Sequence, residues 1–204
     1  MVDLVPSAES VMEILQSTGA YRKGHFIYPN GKHASHYFQM PLAFRYYDNA
    51  RILSVGLSRL FRMEKSIAGR LPKVSVISPS PGGIMVAFGV REALSAEQIY
   101  WAEMEDGRRQ FRQYMADSQV HPAIIVDDIL RSGKAIQQTF DLCKEIGVEV
   151  IGIGVIARFD DAPSDFEGIE VKSLMSFDVN FYESEEEWKN SRSASDVEEE
   201  KVRF

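Results

Sequence analysis

Apolar positions along the chain follow two periods. Short continuous runs rich in β-branched residues alternate with stretches where apolar residues recur every three or four positions. That is the pattern of buried strands alternating with amphipathic helices. Residues 74–77, 98–101, 123–126, 148–157 and 169–177 read as strands. Residues 47–63 read as a helix with Ile52, Leu53, Val55, Leu57 and Leu60 as its stripe, and residues 84–94 read as another. Ile136, Phe140, Cys143 and Ile146 mark a third helix, with Gly147 placed to end it as a C′ residue. Near the N-terminus, residues 7–20 read as a helix carrying Val11, Ile14 and Leu15, with a capping box from Ser10 to Glu13 and Gly19 as its stop. Residues 24–39 read as two short strands, 26–28 and 37–39, around a Pro29-Asn30-Gly31 turn. Strands and helices alternate from Val74 to Ala157, which predicts an α/β fold: a parallel sheet flanked by helices.

In such sheets ligands bind at the carboxyl ends of strands, and three stretches with chemistry fall there. The first strand feeds Ser78-Pro79-Ser80-Pro81-Gly82-Gly83, a small-residue loop whose consecutive N–H groups can form an anion nest. The strand at 123–126 feeds an acidic turn, Asp127-Asp128, then Arg131-Ser132-Gly133-Lys134-Ala135 at the start of a helix. Unpaired N–H groups and the positive end of the helix dipole suit a phosphate there. The two carboxylates suit a sugar diol or the water shell of Mg²⁺. A diol near a phosphate describes a ribose 5-phosphate. The loop is not a Walker A motif, because the earlier glycine and the hydroxyl residue after the lysine are missing. The third stretch is Arg158 at the end of residues 148–157. Gly152-Ile153-Gly154-Val155-Ile156-Ala157 matches a dinucleotide fingerprint in form only, since its glycines lie inside the apolar run rather than after it. Each stretch also has a plainer reading: an ordinary β-turn-α unit with a solvated acidic turn, a bend at a strand end, a surface arginine.

Composition narrows the partners. With 204 residues and 45% hydrophobic content, the chain can bury a sizeable core. A net charge of −7 repels nucleic acid and anionic membranes, so neither is an expected partner and an anionic substrate needs a local basic pocket. Cys143 is the single cysteine, which leaves no disulfide framework, and it falls on a predicted helix core face. The N-terminus lacks a basic stretch followed by an apolar one, and no apolar run reaches membrane-spanning length, so a soluble cytoplasmic protein is expected.

Residues 124–136 resemble the phosphoribosyl-diphosphate (PRPP) signature of type I phosphoribosyltransferases: hydrophobic residues, two acids, two hydrophobic residues, then a small-residue loop. Arg131 and Lys134 depart from it, where hydroxyl residues are common. Within that group the chain is most similar to the orotate phosphoribosyltransferases. Gly24, Phe26, Gly31, His33, Tyr37 and Gln39 fit the N-terminal hood of that family, whereas Pro29 and Asn30 do not. The polar connection from Glu103 fits its catalytic flap at Ala102, Glu103, Glu105, Gly107 and Arg112, with Met104 near where a basic residue is common. The family's flap lysines are absent, leaving Arg108, Arg109 and Arg112 as its cations.

The resemblance implies a helix and hood over residues 1–70, a PRPP-binding core over 71–165, a closing strand toward the hood over 166–182 that completes it, and an acidic polar tail over 183–204. It implies transfer of ribose 5-phosphate from PRPP to orotate. Asp127 and Asp128 would position ribose hydroxyls and the water shell of a Mg²⁺ carried by PRPP rather than bound directly. Residues 131–135 would hold the 5-phosphate, and Ser80, Pro81, Gly82 and Gly83 with the flap arginines would hold pyrophosphate. Tyr37, Phe38 and Arg158 would frame the base. A homodimer with shared flaps is implied as well. Three alternatives stay open: a different acceptor base, a PRPP-sensing regulator without turnover, and a receiver-type domain using the acids as a Mg²⁺ pocket.

Overall fold

The computed structural model describes residues 5–28, 31–111 and 120–191 with their side chains, and the backbone of 202–203. Five strands form a parallel core: β3 (Ser75–Ser78), β4 (Gln98–Glu105), β6 (Ala123–Leu130), β7 (Val150–Phe159) and β9 (Ile169–Phe177). Two short strands, β5 (Arg108–Phe111) and β8 (Asp165–Phe166), close the edges antiparallel, giving the order β5-β4-β3-β6-β7-β9-β8. The sheet is thus mixed at its edges rather than wholly parallel as the strand–helix alternation predicted. Both edge strands arise from hairpins too short to show a period.

Helices α5 (Ile84–Leu94) and α6 (Lys134–Glu145) make the crossovers from β3 to β4 and from β6 to β7. The strands β3 and β6 are neighbours, but their crossovers leave in opposite directions. Right-handed connections therefore put the two helices on opposite faces and open a crevice between the carboxyl ends of β3 and β6. This switch point carries both the 78–83 loop and the two acids.

Helix α3 (Tyr47–Met63) covers the face that α5 covers, and the two pack together. Its buried residues are Leu53, Ser54, Gly56, Leu57, Ser58 and Phe61, while Ile52 is exposed, so the predicted stripe is rotated. The cause is close helix approach: a side chain at Gly89 of α5 would meet the Ser54 hydroxyl at 2.1 Å. Small residues, not large apolar ones, face that crossing. The same helix explains the glycines of β7. A Cβ at Gly154 would lie 2.6 Å from the Phe61 ring, and one at Gly152 would lie 3.1 Å from it. These glycines admit an aromatic ring, which accounts for them without a dinucleotide loop.

Helix α1 (Ala8–Ser17) is capped by Ser7, whose hydroxyl accepts the Ser10 N–H, so the expected box at Ser10 does not form. Val11 and Leu15 are buried and Gly19 takes a left-handed φ of +73°. Above the core sits a hood sheet of β1 (Tyr21–Ile27) and β2 (His33–Phe38), paired antiparallel. The short β10 (Phe181–Tyr182) joins β2, and β11 (Val202–Arg203) runs parallel to β1. The strand at 169–177 pairs in the core sheet and touches the hood through Phe177, 5.4 Å from Tyr21, and the chain first joins the hood sheet at β10. The acidic stretch then opens with α7 (Glu185–Asn190), whose Trp188 is buried. The Trp188 indole donates to the Ser35 hydroxyl at 3.0 Å and stacks on His25 at 3.8 Å. Residues 192–201 lie outside the described residues. Among the described residues, no helix is long and apolar enough to cross a membrane.

Replacing Gly154 with alanine would force a methyl group against the Phe61 ring. We expect a loss of about 1–3 kcal/mol by overpacking, read as a lower midpoint in chemical denaturation. Combining Gly154→Ala with Phe61→Leu should recover part of that loss.

Candidate functional site

Strand β6 does not stop at Val126. It carries Asp127 and Asp128 within it and ends at Leu130, so the acids lie in extended backbone rather than in a turn. Pairing with β7 continues through Asp127↔Val155 to Leu130↔Arg158, which explains the extension. The acids are 5% and 8% exposed, which excludes a solvated acidic turn.

The 78–83 loop buries them. The Ser80 hydroxyl donates to Asp127 Oδ1 at 2.7 Å and accepts the Gly83 N–H at 3.2 Å. The Ser78 hydroxyl donates to the Ser80 carbonyl at 2.6 Å, tying the loop to its strand. The Asp127 carboxylate also accepts the Asp128 N–H, and Asp128 accepts the Ile129 N–H at 2.8 Å. A Cβ on Gly82 would lie 2.7 Å from Asp128 Oδ2, and one on Gly83 would lie 2.4 Å from Asp127 Oδ1. Only glycine at both places lets the backbone come this close to the carboxylates. Pro81, between the acids' loop contacts, is exposed.

Burial raises the Asp127 carboxyl well above the ordinary carboxylate range, and the neighbouring Asp128 charge raises it further; the Ser80 hydroxyl opposes both. Burial raises Asp128 as well, against hydrogen bonds from Asp127 and the local backbone. The 78–83 loop itself has no basic residue. The nearest described flap cation is Arg109, half-buried, with burial lowering its pKa and the Asp127 charge raising it. Its Nε donates to Gln138 of α6 at 3.4 Å. Arg109 reaches this place because residues 98–111 form a β4–β5 hairpin, where an irregular polar connection was expected. Arg108 is exposed on the same strand, and Arg112 lies outside the described residues.

Helix α6 begins after Gly133, which has a φ of +74° and offers no side-chain cap. A Cβ there would also touch Pro163 and Phe166 at 3.0 Å, so glycine serves both the turn and the packing. Ser132 and Lys134 are exposed, and Ala135 is half-buried. The guanidinium of Arg131 lies 3.9 Å from the centroid of Phe181 and 5.5 Å from that of Tyr28. Phe181 was not singled out in the sequence, since a two-residue strand leaves no periodic signal, and Tyr28 was read only as the end of a short strand.

The hood adds an arc of rings. Tyr37 lies 6.3 Å from Tyr28, Tyr28 lies 5.5 Å from Phe181, Phe181 lies 6.0 Å from Phe159, and Phe159 lies 5.4 Å from Phe38. Tyr37 and Phe38 are adjacent in β2 but stand at opposite ends of this arc, as the pleat requires. Phe38 also packs on Phe177 at 4.6 Å. Arg158 is half-buried near the end of β7, paired in register with Leu130 and with Ser176 of β9. Pro29 and Asn30 lie outside the described residues. Among the described residues, no three His, Cys, Asp or Glu side chains gather as a metal cage.

No family model matches the chain. Curated relatives do. An orotate phosphoribosyltransferase of Caldanaerobacter subterraneus subsp. tengcongensis is 30% identical over 178 residues, covering 87% of this chain and 89% of that one. An orotate phosphoribosyltransferase of Thermotoga petrophila is 30% identical over 176 residues, covering 86% and 89%. Among solved structures, the orotate phosphoribosyltransferase of Aeropyrum pernix matches with a TM-score of 0.65 at 18% identity, covering 82% of this chain and 93% of that one. The adenine phosphoribosyltransferase of Thermoanaerobacter pseudethanolicus matches with a TM-score of 0.57 at 14% identity, covering 70% and 88%. The structural likenesses speak to the fold.

The acid pair sets a pH dependence. Both folded-state pKa values lie above the ordinary value of 3.8, so ionising the pair in the fold costs stability at neutral pH. The cost is relieved as pH falls through the raised values toward the ordinary one. Asp127→Asn keeps an acceptor for Ser80 but no charge. Its melting temperature should exceed that of the parent at pH 7, and the gap should narrow as pH falls to about 4. Thermal unfolding across that range checks it; a lower melting temperature at pH 7 would contradict it.

Proposed function

The chain belongs to the orotate phosphoribosyltransferase family, and from that premise we propose that it transfers ribose 5-phosphate from PRPP to orotate, releasing pyrophosphate and forming orotidine 5′-phosphate. One observation carries the reading: in a chain 30% identical to such an enzyme along 87% of its length, the 78–83 loop meets Asp127 and Asp128 at the switch point of the sheet.

The chemistry breaks the bond from ribose C1 to the diphosphate and forms one from C1 to a ring nitrogen of the base. The diphosphate leaves with the electron pair, and positive charge builds at the sugar. In our reading Asp127 and Asp128 accept hydrogen bonds from the ribose hydroxyls, and their negative charge favours the developing positive one. Their burial holds them poised, since a polar ligand restores the solvation that folding removed. The N–H groups opening α6, with Arg131, Ser132, Gly133, Lys134 and Ala135, hold the 5-phosphate. Gly82 and Gly83 offer backbone N–H donors and Ser80 a hydroxyl to the diphosphate, Pro81 shapes the turn between them without a donor of its own, and Arg108, Arg109 and Arg112 supply the charge that the loop lacks. Arginine does not deprotonate in proteins, so this flap stabilises the leaving group without donating a proton. Arg158 suits the carboxylate of orotate, and Tyr37 and Phe38 suit its ring.

Mg²⁺ fits as a passenger of the substrate. Two buried acids are too few to hold a hard octahedral cation by themselves, so Asp127 and Asp128 would face the ion through the sugar and its water shell, and the ion would neutralise diphosphate charge. A homodimer and a cytoplasmic location belong to the same proposal. Supporting the dimer, Tyr47, Ile52, Met63, Met85 and Phe88 leave α3 and α5 with exposed apolar side chains.

Purified protein given PRPP, Mg²⁺ and orotate should release pyrophosphate. Binding of PRPP without release would favour a PRPP-sensing regulator, and no calorimetric binding of PRPP with Mg²⁺ would overturn the PRPP assignment. Arg158→Ala should raise the KM for orotate about 10- to 100-fold, the worth of a charge-assisted hydrogen bond, with little change for PRPP. Equal rates with uracil and orotate in the parent protein would remove the role given to Arg158.

A further inference from the structure

Arg131 stands at the seam between the phosphate cradle and the hood. It lies two residues before Gly133, whose left-handed turn starts α6. Its guanidinium lies over the Phe181 ring at 3.9 Å and 5.5 Å from the Tyr28 centroid, both rings belonging to the hood side. Phe181 is fixed from three directions: β10 pairs it with Ala34 of β2, Tyr28 meets it edge-on at 5.5 Å, and Phe159 of the core sheet lies 6.0 Å away. The Tyr28 hydroxyl donates to the His36 carbonyl at 3.3 Å, which sets the second ring. Burial raises the Tyr28 pKa and the Arg131 charge opposes it, in keeping with a guanidinium close to that ring.

A long side chain at this place has a specific cost and a specific use. Arginine loses much rotamer freedom when it grips an anion, unless something already holds it. A guanidinium lying over a ring face is held by cation–π attraction, while the N–H groups at its rim stay available for paired bonds to phosphate oxygens.

We propose that Phe181 is a positioning residue for substrate, holding the Arg131 guanidinium beside the cradle of residues 131–135 so that Arg131 grips the 5-phosphate. This rests on the PRPP reading of that cradle and adds to it a residue from the far end of the chain. Phe181 itself touches no phosphate. Its effect passes through Arg131, and so the two positions are energetically coupled. The hood strand β10 thereby becomes part of the sugar-phosphate site as well as a cover over it.

The test is calorimetric titration of ribose 5-phosphate, and separately of pyrophosphate with Mg²⁺, into the full chain and its Phe181→Leu, Arg131→Met, Arg131→Lys and double Phe181→Leu/Arg131→Met variants. Phe181→Leu should weaken ribose 5-phosphate about three- to tenfold, the range of a partly exposed cation–π contact. Arg131→Lys keeps the charge but not the flat stack, and should lose a similar amount. The double variant should bind no more weakly than Arg131→Met alone, because without the guanidinium the ring has nothing to hold. Pyrophosphate binding should stay within about twofold in every variant, which a general loss of structure would not allow. Strictly additive losses, or unchanged ribose 5-phosphate binding in a Phe181→Leu protein, would overturn the proposal. So would a parallel loss for pyrophosphate. Failure of the parent protein to bind ribose 5-phosphate or PRPP would instead bring down the functional reading on which it rests.

Discussion

The structure depends on one close approach. The backbone at Gly82 and Gly83 comes so near Asp128 and Asp127 that any side chain there would lie 2.7 Å and 2.4 Å from a carboxylate oxygen. The loop closes over two neighbouring carboxylates and strips them of water, and the Ser80 hydroxyl is the chief side chain returned to them. Burying a like-charged pair is unfavourable for folding. A fold that keeps such a pair has it where a ligand can exploit the cost, and this pair sits at the single place in the sheet where adjacent crossovers diverge.

The rest of the molecule serves that crevice. The two crossovers can diverge only because β3 and β6 are neighbours, and those strands are held from one face by α5, which packs on α3 through small residues. The glycines of β7 let Phe61 reach the sheet, which seats α3 over the strand that carries Arg158 near its end. On the carboxyl side, an arc of five rings runs from Tyr37 to Phe38 through Tyr28, Phe181 and Phe159, joining hood to core. Buried Trp188 keeps the C-terminal helix α7 on the hood through His25 and Ser35. Apolar packing thus sets the distances between the polar groups.

Much of this was legible in the residue pattern. Helices 47–63 and 84–94 and strand 169–177 carry strong periods, and the structure keeps their limits. The strand-end placing of the 78–83 loop followed from alternation alone. Other features left no local trace. Asp127 and Asp128 read as a turn because paired acids are polar, yet pairing with β7 extends the strand through them. The flap read as loop because its β4–β5 hairpin is charged on both strands. The inward face of α3 was misread because Ser54, Gly56 and Ser58 carry no hydrophobic signal. Phe181 and Trp188 are set by contacts more than a hundred residues away, to which no sequence period corresponds.

Catalysis in such a site turns on whether the acids give up the loop for the sugar. Ser80 bonds Asp127 and the Gly82–Gly83 backbone closes on both carboxylates, and in the proposed reaction the diol of ribose would take their place or join them. The most direct measurement is a crystal structure of the protein with PRPP and Mg²⁺ bound. The predicted result is a ribose whose hydroxyls lie within hydrogen-bonding distance of Asp127 and Asp128, its diphosphate along Ser80 to Gly83 and its 5-phosphate at the start of α6. A PRPP molecule bound elsewhere, with both carboxylates still sealed beneath the loop, would contradict it.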